Sequence, residues 1–233
     1  MPAPLVTCVV PCFNGERYLA ECLQSILDQR YQPLEVLVVD DGSTDGSAEV
    51  VRRFGSAVRY HRQENRGPGA ACNQGGALAS GTLVAFHEQD DLWLPEKTGR
   101  QVDALAADPG LDYCVGHVQN FWIPELADEA ARFRDAPVMQ AVPGYVVQTL
   151  VVRRAAFDRV GRFDEMLHFT FASDWFLRAQ ERGVAGALLP DVLTRRRLHH
   201  DNFSRRNRAA SHDQFLHVVK AALDRRRRSG TPT

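Results

Sequence analysis

Apolar, β-branched runs alternate with helix-period stretches through the first half of the chain, and this alternation constrains the fold more than any other feature. Strand-like runs cover residues 5–10, 34–39, 58–60, 83–86 and 113–115. Apolar residues recur at helical spacing between them, in residues 17–27, 47–54, 70–79 and 96–107. Strands that alternate with helices in this way are typical of a mostly parallel sheet. We therefore predict an α/β fold in which helices flank that sheet.

The second half of the chain is less regular. Residues 118–145 mix aromatic residues, three prolines and an acidic patch, which predicts an irregular insertion over one face of the sheet. Helix-period stretches return at 154–160, 174–182 and 209–228. A chain of 233 residues has the length of one domain, so we predict a single domain.

Cysteine usage and the start of the chain bear on the cellular compartment. The five cysteines lack C-x-x-C spacing and lie mostly in apolar stretches, so we expect buried thiols, with no disulfide and no zinc site. The chain begins MPAPLVTCVV, without a basic segment followed by an apolar one. No apolar run approaches the roughly 18 residues that span a bilayer. We expect a cytoplasmic protein.

Four consecutive arginines at 225–228 make the end of the chain basic. Such a run is typical of a solvated helix end, where it also complements the negative end of the helix dipole. We expect no nucleic-acid partner. The basic segment allows at most peripheral contact with the inner face of a membrane, through anionic lipid.

Polar loops follow the first four strands, at the edge of a parallel sheet where ligands bind. They read PCFNGERY, DDGSTDGS, QENRGPGAACNQGG and HEQDDLW. Their carboxylates, amides, arginine and glycines suit a nucleotide with metal-bridged phosphates. A dinucleotide site is not indicated, because the first loop has no GxGxxG, and a P-loop is not indicated, because GxxxxGK[ST] does not occur.

The fourth loop carries the strongest signal for a metal ion. Glu88, Asp90 and Asp91 lie within four positions of one another, and their charges repel unless a cation joins them. Mg²⁺ and Mn²⁺ typically bind one or two carboxylates together with substrate phosphates. A single aspartate before a helix could be only a cap, but three carboxylates favour a divalent ion, Mn²⁺ or Mg²⁺.

Seven segments, in order and spacing, resemble the family 2 glycosyltransferases of the GT-A fold. They are VVPCFNGERYLAECLQSIL, LEVLVVDDGSTDGS, NRGPGAACNQGGALASG, FHEQDDLWLPEK, VGRFDE, SDWFLRAQERG and RRRLHHDNFS. The resemblance implies a Rossmann-like GT-A domain in which residues 1–117 bind a donor and residues 118–233 carry the acceptor site, the catalytic base and the basic C-terminal segment. It also implies an inverting transferase of the hexosyltransferase type. The donor would be a nucleoside-diphosphate-sugar, with UDP-sugar favoured, and the acceptor a hydroxyl of a glycan, a lipid-linked or another molecule.

The resemblance also implies the donor-site residues. Asp41, the second acid of the VDDGS loop, would hydrogen-bond the nucleobase, and Phe13 would stack on it. Glu88 departs from the aspartate that the family usually has, and Cys72 departs from a frequent arginine whose charge Arg66 could supply. The predicted donor-binding residues are Pro11, Phe13, Asp41, Arg66, Asn73, Glu88, Gln89, Arg197, Ser204 and Arg205.

The metal ligands and the base follow from the same resemblance. Asp90 matches the last acid of the family's DxD motif, Asp91 would contribute indirectly, and His199 would complete the metal site. Displacement at an anomeric carbon needs a carboxylate that takes the acceptor's proton. Asp174 matches the acid of the family's ED motif and is the predicted base, with Ser173 in place of the preceding glutamate. Asp174 could instead only cap the helix that follows.

Two other functions share part of this pattern. A sugar-phosphate nucleotidyltransferase would use a similar sheet, but it needs a glycine-rich loop with Arg and Lys after the first strand, and PCFNGERY lacks one. A nucleotide-sugar-binding homologue without catalysis is suggested by Cys72, Glu88 and Ser173, where the family prefers other residues. We favour the active enzyme because Asp90 and Asp174 are both present.

Overall fold

The first four strands form the parallel part of one sheet. The computed structural model describes residues 2–133, 136–137 and 140–229. The strands β1 (Val6–Cys12), β2 (Leu34–Asp40), β3 (Arg59–Arg62) and β4 (Leu83–Phe86) pair side by side in the order β3–β2–β1–β4. Their carboxyl ends therefore meet at one edge, as the order of elements predicts.

The second half of the chain extends the same sheet beyond β4. Its strands are β5 (Leu92–Trp93), β6 (Tyr113–Trp122), β7 (Val142–Pro143), β8 (Val151–Arg153) and β9 (Gly186–Leu198). The order continues β4–β8–β6–β9–β5, and β7 pairs with β6. β8 runs antiparallel to β4, whereas β6 and β9 run parallel to each other.

Helices cover both faces of the sheet. They are α1 (Glu16–Leu27), α2 (Ser47–Arg52), α3 (Pro68–Leu78), α4 (Lys97–Ala107), α5 (Ala127–Arg132), α6 (Arg154–Val160), α7 (Phe171–Glu181), α8 (Phe203–Arg206) and α9 (Arg208–Ser229). Alternate strand residues face two cores, because successive side chains of a strand point to opposite faces. Cys8 packs with Leu23 of α1 on one face, and Val9 lies in the core of Trp175 of α7 on the other. The predicted single α/β domain with a mostly parallel sheet is confirmed.

The irregular insertion predicted for residues 118–145 is partly wrong. Residues 118–122 continue strand β6, because Val118 pairs with Thr194 and Trp122 with Leu198 of β9. Ala127–Arg132 form helix α5. Residues 134, 135, 138 and 139 of this segment lie outside the described residues. Pairing between residues more than seventy positions apart is not visible in local sequence patterns, which explains the error.

The cysteines match the prediction of buried thiols. All five are free and buried. Burial raises the pKa of Cys12 to about 11 and that of Cys114 to about 12. These thiols therefore pack as small apolar side chains.

A buried lysine lies beneath the loop that follows β4. Lys97 is fully buried; its Nζ donates to Gln101 Oε1 (2.7 Å) and lies 4.0 Å from the centre of the Trp93 ring. Burial lowers the pKa of Lys97 from 10.5 to about 7. The charged form is disfavoured because it leaves water for an apolar interior.

Lys97 should therefore make stability depend on pH. Between the folded and unfolded pKa values the unfolded chain binds more protons, so the free energy of unfolding rises with pH in this window. Lys97→Met removes this contribution. Urea unfolding should show the wild type gaining on the order of 2 kcal/mol relative to Lys97→Met from about pH 7 to about pH 9. Lys220→Met, at an exposed lysine of α9, should leave the pH dependence unchanged. Parallel curves for wild type and Lys97→Met would show that Lys97 does not titrate there.

Candidate functional site

Three carboxylates meet at the carboxyl end of β4. One oxygen from each of Glu88, Asp90 and Asp91 lies within 4.8 Å of the other two, and we call these residues the acidic cluster. Burial and the charge of Asp90 raise the pKa of Glu88 to about 7. The same causes raise the pKa of Asp91 well above its usual range. Desolvated like charges at this spacing fit a divalent cation, which would relieve their repulsion.

The structure brings His199 to the acidic cluster. Its Nε2 lies 2.8 Å from Asp90 Oδ2, and its Nδ1 accepts the backbone N–H of Asp201 (3.2 Å). Asn202 donates to the same Asp90 oxygen (3.2 Å) and accepts the backbone N–H of His199 (2.7 Å). The separation of Nε2 and Oδ2 is similar to the roughly 3 Å between neighbouring ligands of an octahedral ion with bonds of about 2.1 Å. The donor set of carboxylates and imidazole thus fits Mn²⁺ or Mg²⁺.

Asp91, the buried member of the acidic cluster, bonds to neighbouring segments of the protein. It is 1% exposed; Oδ1 accepts the backbone N–H of Arg197 (2.9 Å) and Oδ2 accepts Gln148 Nε2 (3.1 Å). These bonds tie the loop after β4 to β9 and to the segment before β8. Sequence reasoning missed Gln148, a buried amide inside an apolar run, and no pattern there could have indicated it.

Arg197 lies against the cluster but is bound to protein groups. Its Nε donates to the backbone oxygen of Asp90 (2.9 Å) and its Nη2 to Glu21 Oε2 (2.6 Å). The guanidinium also lies 4.8 Å from the Tyr18 ring and 4.7 Å from the Phe121 ring. Arg197 therefore holds Asp90 in place from its backbone side.

The other two residues predicted around the diphosphate also have protein partners. Ser204 Oγ accepts Arg196 Nη2 (2.9 Å), and Arg205 pairs with Glu129 of α5 (2.8 Å). The charge of Arg196 partly offsets the rise in the pKa of Glu88 that burial and Asp90 cause, so Arg196 lies near the acidic cluster. Sequence reasoning chose Arg197 from the RRRL run, although its neighbour Arg196 is the cation that acts on Glu88.

Asp41 organises the loop between β3 and α3. Its Oδ1 accepts the backbone N–H of Arg66 (2.9 Å) and Gln63 Nε2 (2.7 Å), and its Oδ2 accepts the backbone N–H of Gly67 (2.8 Å). Gly67 has φ +91°, a conformation that favours glycine. A carboxylate oxygen has two lone pairs, so Oδ2 keeps one acceptor position. Asp40 supports its own loop, as predicted, by accepting the backbone N–H of Ser43 (2.7 Å).

The loop after β1 is joined to the loop after β4. The Gln89 side chain accepts the backbone N–H of Phe13 (2.9 Å) and donates to the Phe13 carbonyl (3.0 Å). Phe13 is 46% exposed and Pro11 is half-buried in β1. Phe13 therefore presents an apolar ring to solvent at the edge of the sheet where the acidic cluster lies.

Asn73 connects α3 to the turn before α7, and Cys72 beside it is buried. The pKa of the buried Cys72 is raised well above its usual range, first by burial and then by the charges of Glu88 and Asp41. Asn73 Nδ2 donates to the Phe163 carbonyl (2.9 Å) and to Glu165 Oε1 (3.1 Å). Glu165 also pairs with Arg66 (2.5 Å). The guanidinium that we predicted for the donor site is therefore bound to a carboxylate of the protein.

Asp174 lies in the first turn of α7, whose N-cap is Thr170, so it is not the capping residue. It is 7% exposed, and its Oδ2 accepts Arg178 Nε (2.7 Å). Arg225 of α9 lies 3.8 Å from Asp174 Oδ1 and donates to Glu181 Oε2 (2.8 Å). These contacts bind α9 to α7. The role of Asp174 as the base stays a prediction.

The contacts of Arg225 also correct the prediction of a solvated C-terminal arginine run. Arg225 and Arg226 turn toward α7, where Arg226 Nη2 donates to Gln180 Oε1 (2.6 Å). Arg227 and Arg228 are exposed. The run is divided because a helix that packs on a neighbour points only some of its side chains to solvent.

Comparison with known proteins identifies relatives. A family model described as glycosyl transferase family 2 matches residues 7–164. An uncharacterized glycosyltransferase of Rickettsia typhi is 30% identical over 187 residues, which cover 75% of this chain and 58% of the relative. Glycosyltransferase GlyG of Streptococcus pneumoniae is 36% identical over 121 residues, which cover 50% of this chain and 40% of the relative. The chain thus spans a little more than half the length of the Rickettsia relative and less than half the length of GlyG.

Two solved glycosyltransferases share the fold. A crystal structure of residues 1–349 of TarS from S. aureus with UDP-GlcNAc has a TM-score of 0.69 at 21% identity and covers 84% of this chain and 59% of its own. The mannosyltransferase PcManGT of Pyrobaculum calidifontis in complex with GDP-Man and Mn²⁺ has a TM-score of 0.72 at 24% identity and covers 94% and 65%. Both neighbours have the GT-A fold, so the predicted fold is confirmed. Because the family model matches more than half of the chain, this protein belongs to glycosyl transferase family 2.

Proposed function

We propose that this chain is a metal-dependent, inverting glycosyltransferase that moves a sugar from a nucleoside-diphosphate-sugar to an acceptor hydroxyl, with UDP-sugar favoured. The acidic cluster carries the proposal, since its desolvated carboxylates and the adjacent His199 form a donor set for Mn²⁺ or Mg²⁺. The donor complexes of TarS and PcManGT support a nucleotide-sugar partner. The five buried, free thiols support a cytoplasmic location.

Residues 1–117 would bind the donor. Phe13 would stack on the nucleobase with its exposed ring, and Asp41 would accept a base N–H at the position that Oδ2 keeps free. Asp90 and His199 would hold the ion, with Asp91 fixing the loop behind them. The ion would neutralise charge on the diphosphate as it leaves. Burial of the cluster would strengthen its attraction for the ion, because the surroundings screen charge less than water does.

Residues 118–233 would hold the acceptor and the base. An inverting displacement requires a group that takes the proton of the acceptor hydroxyl while the oxygen attacks the anomeric carbon. Asp174 is our candidate for this group. Its carboxylate would have to exchange its bond to Arg178 for one to the acceptor hydroxyl, because a base must contact the proton that it takes.

The contacts of Asp174 favour a second candidate function. If Asp174 only binds α9 to α7, the chain would bind a nucleotide-sugar without transferring the sugar. Ser173 beside it and the fully buried Cys72 are consistent with this alternative. Donor turnover separates the two, since a binding protein neither transfers nor hydrolyses the sugar.

Calorimetric titration with UDP, GDP and dTDP, each with and without Mn²⁺, tests the proposal. We expect tight binding of one nucleotide, with UDP favoured, and only when Mn²⁺ is present, because the repelling carboxylates need the ion before they can accept a diphosphate. Binding of no nucleotide under either condition would contradict both candidate functions. Equal binding with and without Mn²⁺ would contradict the metal site alone.

A further inference from the structure

Two aromatic side chains stack where the turn before α7 meets α8. The ring centres of Phe169 and Phe203 lie 4.6 Å apart, and the planes of the two rings differ by 18°. We call these two residues the aromatic pair. Phe203 is 54% exposed although Phe169 stacks on its ring, and Phe169 is half-buried. A large part of one flat apolar side chain is therefore in contact with water.

The residues beside Phe203 in the chain are polar. Asp201 and Asn202 precede it, and the rest of α8 is a serine and two arginines. An alkyl chain or a protein partner would need a larger continuous apolar surface. A single flat ring among hydrogen-bonding groups instead suits a sugar ring, which has a C–H face and a rim of hydroxyls. The negative face of an aromatic ring attracts the weakly positive hydrogens of such a C–H face.

Phe203 follows a residue that contacts the acidic cluster. Asn202 donates to Asp90 Oδ2 (3.2 Å) and accepts the backbone N–H of His199 (2.7 Å). Neighbouring Cα atoms are about 3.8 Å apart, so the backbone of Phe203 lies directly beside a residue bonded to the candidate metal ligands. One member of the aromatic pair is thus fixed at the candidate metal site.

Phe169 belongs to the turn that leads to the candidate base. The carbonyl of the next residue, Thr170, accepts the backbone N–H of Asp174 (3.0 Å). The preceding residue, His168, packs on the backbone of Gly67, where its Nδ1 lies 2.8 Å from the point that a Cβ would occupy. Gly67 is part of the loop that Asp41 organises. The turn that carries Phe169 therefore contacts both the candidate donor loop and the first turn of α7.

We propose that the aromatic pair stacks on a pyranose ring of the acceptor, which would make the acceptor a carbohydrate. This inference rests on the proposed glycosyltransferase function. In that reaction the acceptor hydroxyl must reach both the base and the anomeric carbon of a donor whose diphosphate lies at the metal. The segments that carry His199 and Asp174 meet at the aromatic pair, so a sugar stacked there lies beside both.

Saturation-transfer NMR with simple glycosides tests the stacking without any sugar transfer. The probes are the methyl β-pyranosides of glucose, galactose and N-acetylglucosamine, with glycerol as a hydroxyl-bearing molecule that has no ring face. Each is measured with and without UDP and Mn²⁺. We expect at least one glycoside to bind, with the strongest saturation at the C–H protons of one ring face, and glycerol to give no signal.

Two substitutions of Phe203 assign this binding to the aromatic pair. Phe203→Leu keeps an apolar contact with Phe169 but has no flat face, so the affinity for the glycoside should fall roughly tenfold. Phe203→Tyr keeps the flat face and should stay within about twofold of the wild type. Leu223→Ala removes exposed apolar surface from α9 (Leu223 is 43% exposed), roughly 20 Å from the start of that helix, and should leave the affinity unchanged.

Three results would overturn the proposal: no glycoside binds under either condition, Phe203→Leu and Leu223→Ala lose affinity equally, or Phe203→Leu also loses nucleotide affinity in calorimetry with Mn²⁺. In the last case Phe203 supports the metal site and not a sugar. Failure of this inference differs from failure of the proposed function. If a nucleotide binds with Mn²⁺ and no glycoside binds, only the sugar platform is wrong. If glycosides bind through Phe203 and no nucleotide binds, the sugar platform is supported and the transferase is contradicted.

Discussion

Asp90→Asn should lower metal-dependent nucleotide affinity roughly 100-fold, since the loss of one carboxylate charge removes a ligand and leaves the ion fewer groups to replace its water. The variant should fold at least as well as the wild type without metal, because the charge of Asp90 raises the pKa values of Glu88 and Asp91 and its removal relieves that repulsion. Calorimetric titration with Mn²⁺ and the nucleotide that binds the wild type measures the effect.

Asp201→Asn is the matched control for this variant. Asp201 lies on the same turn as His199 and loses the same charge, but its side chain is 70% exposed and pairs only loosely with Arg206 (3.7 Å). We expect its metal titration to match that of the wild type. An unchanged titration for Asp90→Asn would remove Asp90 from the site, and an equal loss in both variants would mean that only the overall charge matters.

Asp174→Asn should reduce sugar transfer by about 10²–10⁴-fold if Asp174 is the base, because the amide cannot take the acceptor's proton. Donor affinity should stay within a few-fold of the wild type, since the base acts on the acceptor. Initial rates with a glycan or lipid-linked acceptor, calorimetry with donor and thermal unfolding would be measured on the same preparation. A purely structural Asp174 predicts a different result: a loss of about 1–3 kcal/mol of stability, with transfer falling only as the folded fraction falls.

Glu181→Gln separates these two outcomes. Glu181 is on the same helix and pairs with the same Arg225 (2.8 Å), so this variant weakens the contact between α7 and α9 and leaves Asp174 in place. We expect Glu181→Gln to lower stability slightly and to keep transfer per folded molecule. If Glu181→Gln loses transfer as completely as Asp174→Asn, the base assignment is wrong and the contact between the helices is what activity requires.

Local patterns predicted the parts of the fold that are built from neighbouring residues. The runs that form β1, β2 and β4 are apolar and bounded by turn residues, and the segments between them have helical periodicity, so each element could be found from its own residues. Strand β6 could not be found in full. Its second half, from Val118 to Trp122, is a strand because it pairs with β9. The neighbouring residues in the sequence do not indicate that pairing.

The candidate site also has a part that the sequence predicted and a part that it did not. Glu88, Asp90 and Asp91 follow one strand within four positions, so their clustering was predictable from the chain alone. The approach of His199 to Asp90 (2.8 Å) was expected only from a resemblance. The ion-pair partners of Arg66, Arg205 and Asp174 were not expected. Each pair depends on which oppositely charged side chains folding brings within reach.

The sequence by itself determined the α/β class, the mostly parallel character of the sheet and the position of the acidic cluster at the carboxyl ends of its strands. These follow from periodicity and from the rule that parallel strands end together. Only the tertiary structure decided which side chains are already paired: Asp41 with the loop before α3, Asp174 with Arg178 and Arg225, and α9 with α7 on one side only. Such pairing joins residues far apart in the chain, and its outcome depends on burial and distance, which local sequence does not encode.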